Sequence, residues 1–559
     1  MNEVVVGIDF GSSGSGFAYA FTNNQEEINH GMIPGANVDN KVPTEIILDD
    51  NNDTIKFGAD CVKFIKEKGF KVGHYFKEIK MNLYEKKTSI LAKNSGKRLS
   101  LELVIQRVLE KLKDLAFCEI KKNRPTIILS KIKWVVTVPA IWGEFEKNIM
   151  MEACIKAGLI TEDADKSLFF ALEPEAASCY CSKNKSIDQN YLKQGNCYII
   201  CDLGGGTGDI VTHLIGENCN LNEISPASGG KYGSDEIDKN FFEDIVYTIF
   251  DCKDFNSYYE KYKQLNQNGE DEKALFIEWC ELEREIKDLK EGIDNEKIKN
   301  NEVYPIRFSI FQDIFDENID INILVNKYNK CCDNELKLKV SSKKKWIIDF
   351  PYKLIYNYIK KQVNSICHII NNILESSKEN IDSMILVGGY ISNEVLLSEI
   401  KRELSNKISN FLHPSKPCLS IMEGAVLFGL NPNKIIQRKA KYTIGMKFID
   451  LTKLKGNCFS EFIKINQNLK VGQEIVKNYY MIGPRICNLT FYKTFKTNPI
   501  FIDEEGVEQF GQCTLDAGKN YSINEREVTV TMRIGGTFID VKAKHKKSGI
   551  KIKTKLEFD

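Results

Sequence analysis

A charge imbalance is the first thing this chain lacks. Lysine plus arginine and aspartate plus glutamate each number 77 in 559 residues. No overall field therefore favours nucleic acid or an acidic membrane surface. No apolar run reaches the length that spans a bilayer. The N-terminus enters a strand pattern directly, without the layout of a signal peptide. The 17 cysteines show no Cys-x-x-Cys spacing; Cys179/Cys181 and Cys331/Cys332 are merely close. These absences give the expectation of reduced thiols in a cytoplasmic or nuclear protein, with no nucleic acid and no membrane as partner. Histidine is scarce, and the six present form no His-Glu-x-x-His or other cluster, which argues against a zinc site. The length leaves room for roughly three or four compact units.

What the chain does contain is one device used twice. Residues 198–214 read YIICDLGGGTGDIVTHL: an apolar run into Asp202, then Gly204, Gly205, Gly206, Thr207, Gly208 and Asp209, then apolar residues again. A short apolar run bounded by glycines reads as a buried strand turning tightly into a second one. Glycine lets backbone N–H groups approach an anion and form a phosphate cradle. Asp202 and Asp209 on either side are hard oxygen ligands suited to Mg²⁺ or its waters. Residues 4–21 (VVVGIDFGSSGSGFAYAF) repeat the pattern with Asp9, Gly11, Ser12 and Ser13. Residues 384–390 (MILVGGY) add a strand ending in Gly388-Gly389, followed by an amphipathic helix over 393–404. Two such turns and a late Gly-Gly pair fit one nucleotide held between two related halves.

Between these pieces the patterns are coarser. Residues 74–83 (HYFKEIKMNL) read as a solvated helical face, and 101–117 as a helix. Residues 133–139 form a strand stopped by Pro139, and 144–157 a helix ending at Gly158. At 168–181 a strand leads through Glu173-Pro174-Glu175 into a small-residue helix. Pro174 suits the first helical turn, and Glu175 the positive end of the helix dipole. Glu173 stands at a strand's end, where α/β folds present catalytic groups. Residues 233–380 are helical, charged and tyrosine-rich, with 278–290 the clearest helix and 300–334 poorly patterned. Residues 441–559 alternate in short runs separated by glycines, the signature of an antiparallel β-sandwich.

IDFGSS, VVTVPAIW, ALEPEAAS, CDLGGGTGDI, GGKYGSDEID and ILVGGY, in that order, resemble the actin-like ATPase superfamily. Within it the chain is similar to the heat-shock seventy-kilodalton chaperones. LEPEAAS and GGKYGS, in place of the usual NEPTAA and GGEDF, point to the atypical branch numbered twelve. The resemblance implies an α/β fold of two related ribonuclease-H-like lobes, 1–190 and 191–431, the second enlarged over 229–380. A β substrate-binding-like domain would follow at 441–559.

It also implies ATP hydrolysis to ADP and phosphate. Asp9 and Asp202 match the aspartates that position hydrated Mg²⁺, Asp209 an accessory acid near the attacking water, and Glu173 the glutamate orienting the metal's waters. Gly11, Ser12, Ser13, Gly204, Gly205, Gly206 and Thr207 match phosphate contacts. Lys80 matches the catalytic lysine, although its flanks differ. Gly388 and Gly389 match the adenosine pair, and Gly229 with Gly230 a second nucleotide contact. Lys287, with Lys290 close behind, matches the lysine that closes the lobes on adenosine. Partners implied are unfolded or extended peptide segments of client proteins, and co-chaperones.

Two departures stand out. The acidic-leucine linker is replaced by basic 433–441 (NKIIQRKAK), and no helical lid follows the sheet. Poor coupling between the domains is therefore expected. An ATP-binding scaffold with little turnover and a small-molecule kinase of the same superfold remain as alternatives.

Overall fold

The strand Val4–Asp9 is buried along its whole length, and a sheet grows on both sides of it. The computed structural model describes residues 2–557 except 32, 37–39, 70–71, 161–166, 266–271, 316–318 and 451–454. Val4–Asp9 pairs in parallel with Ile132–Val138, which pairs in parallel with Leu168–Leu172. On its other side come Gly14–Phe21 and then Asn24–His30, both antiparallel. A second sheet repeats this plan. Cys197–Leu203 takes the central place, with Ser383–Val387 and Asn410–Leu412 parallel on one side. Gly208–Ile215 and Leu221–Gly230 lie antiparallel on the other. The same order and the same polarity thus occur twice. The central strands are apolar on both faces because helices cover them. Glu173–Cys181 and Ser420–Leu430 are the almost wholly buried helices of that layer.

The lysine-rich segment at 74–83 differs from its reading as a solvated face. His74–Phe76 is a strand, Ile79–Tyr84 a short helix, and Lys80 is buried within it. The strand consumes the residues that would have lengthened the helix. Residues 300–334, which lack a clear pattern, hold the strand Val303–Arg307 and the helix Ile321–Asn329. Elements this short carry too few residues to show a period. The enlarged region is built on aromatic packing: Phe250 stacks on Phe311 at 4.2 Å, and the buried Tyr258 hydroxyl donates to the Ile310 carbonyl at 2.9 Å. Among the described residues no helix is long and apolar enough to cross a membrane.

Beyond residue 440 lie two four-stranded antiparallel sheets. Val528, Val530, Met532 and Ile534 face Ile444, Leu489, Phe491 and Leu515 in one buried cluster. The basic stretch read in place of a linker holds a strand, Ile435–Lys439. It pairs in parallel with Leu221–Gly230 and antiparallel with Asn468–Lys470, so it extends the second sheet. Ile435 is buried and Ile436 exposed. The stretch docks through a charge, which a count of its apolar residues misses.

The buried Arg438 guanidinium grips Glu175, with Nη2 donating to Oε2 at 2.9 Å, and Nη1 stands 3.5 Å from Glu223 Oε2. Glu175, read as a helix-dipole acid, is thus the anchor of this strand. Phe538 packs on Phe170 of the first sheet at 5.8 Å between ring centres.

Arg438→Met should cost about 3–5 kcal/mol in a urea melt, because both carboxylates would stay buried without the guanidinium. Adding Glu175→Gln to that variant should restore part of the loss. A single variant within about 0.5 kcal/mol of wild type would show the cluster to be dispensable.

Candidate active site

The two central strands end side by side at the gap between the sheets. Asp9 closes Val4–Asp9, and Asp202 lies near the end of Cys197–Leu203 with Asp209 directly opposite it in register. Glu173 opens the helix that follows Leu168–Leu172. All four carboxylates are at most 5% exposed. Two ammonium groups meet them. Lys80 Nζ donates to Glu173 Oε1 at 2.6 Å and lies 5.7 Å from the centre of the Trp142 ring. Lys41 Nζ pairs with Asp9 Oδ2, also at 2.6 Å. Asp209 Oδ1 accepts from the Ile141 backbone N–H at 3.1 Å. Its Oδ2 is buried with no hydrogen-bond partner among the described residues.

Burial dominates the electrostatics here. It pushes Glu173 up to about 7, with Lys80 opposing and Asp209 and Asp9 adding to the rise. It pushes Asp209 up to about 6, again against Lys80. Asp202 is raised well above the ordinary carboxylate range by burial and then by Glu173, Asp209 and Asp9. Such a cluster gains from any further cation. Among the described residues no three acidic, histidine or cysteine side chains could hold a metal ion by themselves. That suits Mg²⁺, which keeps most of its waters and takes phosphate oxygens rather than a full protein cage. The unpartnered Asp209 Oδ2 and the acidic surplus fit such an ion.

The two glycine-rich turns face each other across the gap. A Cβ built on Gly205 would stand 1.8 Å from Ser13 Oγ, and one on Gly206 would stand 2.4 Å from Ser12 Oγ. Only glycine permits that approach. Ser13 Oγ donates to Asp235 Oδ2 at 2.7 Å, linking the first turn to the far lobe. Gly204 N–H closes the second turn on the Thr207 carbonyl at 3.0 Å, and the Thr207 side chain is buried. Gly11 opens the first turn, where its carbonyl accepts from Thr44 Oγ1 at 2.8 Å. Gly230 and Gly229 pair with Gly208 and Asp209, beside the second turn. Gly388 follows Ser383–Val387 with φ of 92°, and Gly389 comes next. A Cβ on Gly388 would stand 2.5 Å from Asp202 Oδ1, so the Gly-Gly pair abuts the acid cluster.

The two candidate lysines of the long helix Glu272–Glu291 part company. Lys290 turns into its own lobe and pairs with Asp238, while Lys287 is exposed, 3.5 Å from Glu291. Lys287 lines a cavity of about 300 Å³ with Glu45, Tyr75, Lys77, Phe276 and Cys280; none of the four clustered carboxylates borders it. At its wall Lys77 Nζ bridges both oxygens of Glu283 at 2.8 Å, joining the first lobe to the helix. Burial opposes the Lys77 charge, but Glu283 and Glu78 hold the ammonium above its ordinary range. Sequence reasoning missed Lys77, lost in a lysine-rich segment. It also missed Lys41, whose flanks carry no mark, and Trp142, which Lys80 overlies.

His213 lies four residues beyond Asp209, fully buried, with Nδ1 at 3.1 Å from Ser178 Oγ. Burial, helped by Arg438, pushes its imidazole down to about 3. A folded pKa below the unfolded value near 6.5 gives stability that is present above pH 6.5 and lost as pH falls towards 3. From pH 7 to pH 5 this residue should cost about 2 kcal/mol. Urea melts of wild type and His213→Gln at both pH values should differ in slope by that amount; parallel pH dependence would contradict a neutral, buried imidazole.

No family model matches the chain. It is 26% identical to Heat shock 70 kDa protein 12A of Mus musculus, covering 99% of this chain and 91% of that one. It is 24% identical to Heat shock 70 kDa protein 12B of Homo sapiens, covering 100% of this chain and 91% of that one. A Chaperone protein HscA homolog of Rickettsia africae is 27% identical over 45% of this chain and 38% of its own. Over nearly its full length the chain is therefore similar to the heat shock 70 kDa proteins numbered twelve, the branch that its motifs resemble.

Proposed function

We propose that this is a chaperone-like protein that binds ATP with Mg²⁺ in the gap between its two sheets and hydrolyses it to ADP and phosphate. The observation that carries this reading is the meeting of the two glycine turns beside a buried cluster of Asp9, Asp202, Asp209, Glu173 and Lys80, which the partly exposed Lys41 joins through Asp9. Backbone N–H groups of 11–13 and 204–207 would cradle the phosphates. Gly388 and Gly389 would flank the nucleoside, with Gly229 and Gly230 beside the second turn. Asp9 and Asp202 would hold Mg²⁺ through its waters, and the bound ion would neutralise charge on the phosphates. Glu173 holds the Lys80 ammonium in place, so that positive charge stands ready where the transferred phosphoryl group becomes more negative. The unpartnered Oδ2 of Asp209 and the Thr207 hydroxyl would orient the attacking water. Little covalent chemistry is asked of the protein; positioning does most of it.

In this reading 1–190 and 191–431 are the two nucleotide-binding lobes, and the two C-terminal sheets form a sandwich that binds extended peptide. Its support is an open edge. Glu474–Tyr480 is the outer strand of its sheet, and Val476 and Tyr480 are 54% and 61% exposed along it. An extended client segment could add there by main-chain hydrogen bonds, with its apolar side chains on Val476 and Tyr480.

Asp202→Asn should weaken Mg²⁺–ADP binding about tenfold or more in calorimetry, and Glu173→Ala should slow single-turnover hydrolysis about a hundredfold with affinity nearly kept. Unchanged affinity in the first would sink the metal assignment. Negligible turnover in the wild type would favour a nucleotide-binding scaffold.

For the sheets, a labelled apolar peptide should bind the full chain weakly and exchange fast, because the outer strand offers it an exposed edge. Tyr480→Asp should weaken that binding about tenfold by anisotropy. Full binding in this variant would move the peptide site elsewhere.

A further inference from the structure

We propose that Lys41 makes metal binding conditional on nucleotide: its ammonium holds the cation position at Asp9 until phosphate oxygens draw it away. The inference rests on the nucleotide-site reading above and assigns a role to a residue that the motifs do not mark. Lys41 directly precedes Val42–Pro43, which pairs with Gly14 and Ser15 of the first hairpin. Thr44 fastens that strand to the phosphate turn itself. Its Oγ1 donates to the Gly11 carbonyl at 2.8 Å, and its backbone N–H donates to the Ser13 carbonyl at 3.2 Å. The ammonium is thereby delivered to Asp9 Oδ2 at 2.6 Å, on a carboxylate that is 5% exposed. Asp202, the other acid assigned to the metal, also acts on this ammonium.

An ammonium and a hydrated divalent cation repel each other and compete for the same carboxylate oxygen. In a buried site that repulsion is poorly screened. A bare divalent ion must therefore displace an ammonium already paired with Asp9 at 2.6 Å. A nucleotide changes the balance. Its phosphates offer the ammonium new anionic partners in the adjoining turn, and the four-carbon stem of lysine allows the shift. Asp9 is then released to the metal's waters. By linkage the coupling is reciprocal: nucleotide strengthens metal binding and metal strengthens nucleotide binding by the same factor. Lys80 differs, because it pairs with Glu173 rather than with either metal-assigned aspartate.

The test titrates Mn²⁺, detected by electron paramagnetic resonance, into the full chain with and without ADP. Lys41→Met keeps the stem and removes the charge, and Lys41→Arg keeps the charge; thermal melts establish that both fold. Without ADP, Lys41→Met should bind Mn²⁺ about tenfold more tightly than wild type, while Lys41→Arg should stay weak. The gain in Mn²⁺ affinity on adding ADP should shrink by a similar factor in Lys41→Met. An equal ADP-induced gain in wild type and Lys41→Met overturns the role of Lys41 and leaves the nucleotide reading standing. A wild type that gains no Mn²⁺ affinity from ADP overturns the nucleotide reading and the coupling together.

Discussion

Four carboxylates buried at the ends of two sheets repel one another, and every other feature of the gap accommodates that repulsion. Lys80 and Lys41 each reach one of the acids at 2.6 Å, from separate parts of the first lobe. Even so, Glu173 is driven up to about 7 and Asp209 to about 6, chiefly by burial. The cluster is held together by covalent necessity rather than by its own energy. Strand ends fix Asp9 and Asp202, and an antiparallel register fixes Asp209 against Asp202. Carboxylates pushed this far towards their neutral forms are prepared for a cation that would hold them ionised.

A second charge cluster, behind the first, ties the C-terminal sheets to the lobes. Arg438 comes from the strand that leaves the second lobe, Glu175 from the buried helix that begins with Glu173, and Glu223 from the second sheet. Glu173 and Glu175 thus face opposite tasks two residues apart, one holding Lys80 and the other holding Arg438. Any shift of that helix moves both pairs. One helix thus carries both pairs, and Arg438 joins it to the strand that leads into the C-terminal sheets.

Residues 233–380 show how aromatic packing stands in for regular periodicity. Phe250, Phe308, Phe311 and Trp346 pack against one another there, although the elements that carry them are short. The helix Glu272–Glu291 spans this aromatic core on one face and the interlobe cavity on the other. Its two terminal lysines diverge for that reason: Lys287 meets the cavity, and Lys290 meets Asp238 inside the lobe.

The sequence by itself determined the local devices. Apolar runs ending in Asp9 and Asp202, the glycines after them and the late Gly388-Gly389 are all dictated within a few residues by chain geometry, and so they were legible. The alternation after residue 440 was legible for the same reason, since a strand of period two declares itself locally. Ion pairs between distant segments were not. Lys41 with Asp9, Lys77 with Glu283 and Arg438 with Glu175 join residues 32, 206 and 263 positions apart. A lone lysine among lysines looks solvated in sequence, and Glu175 looks like a helix-dipole acid. Only the tertiary structure decided that these charges are paired and shielded, because both depend on what packs on a residue from elsewhere in the chain.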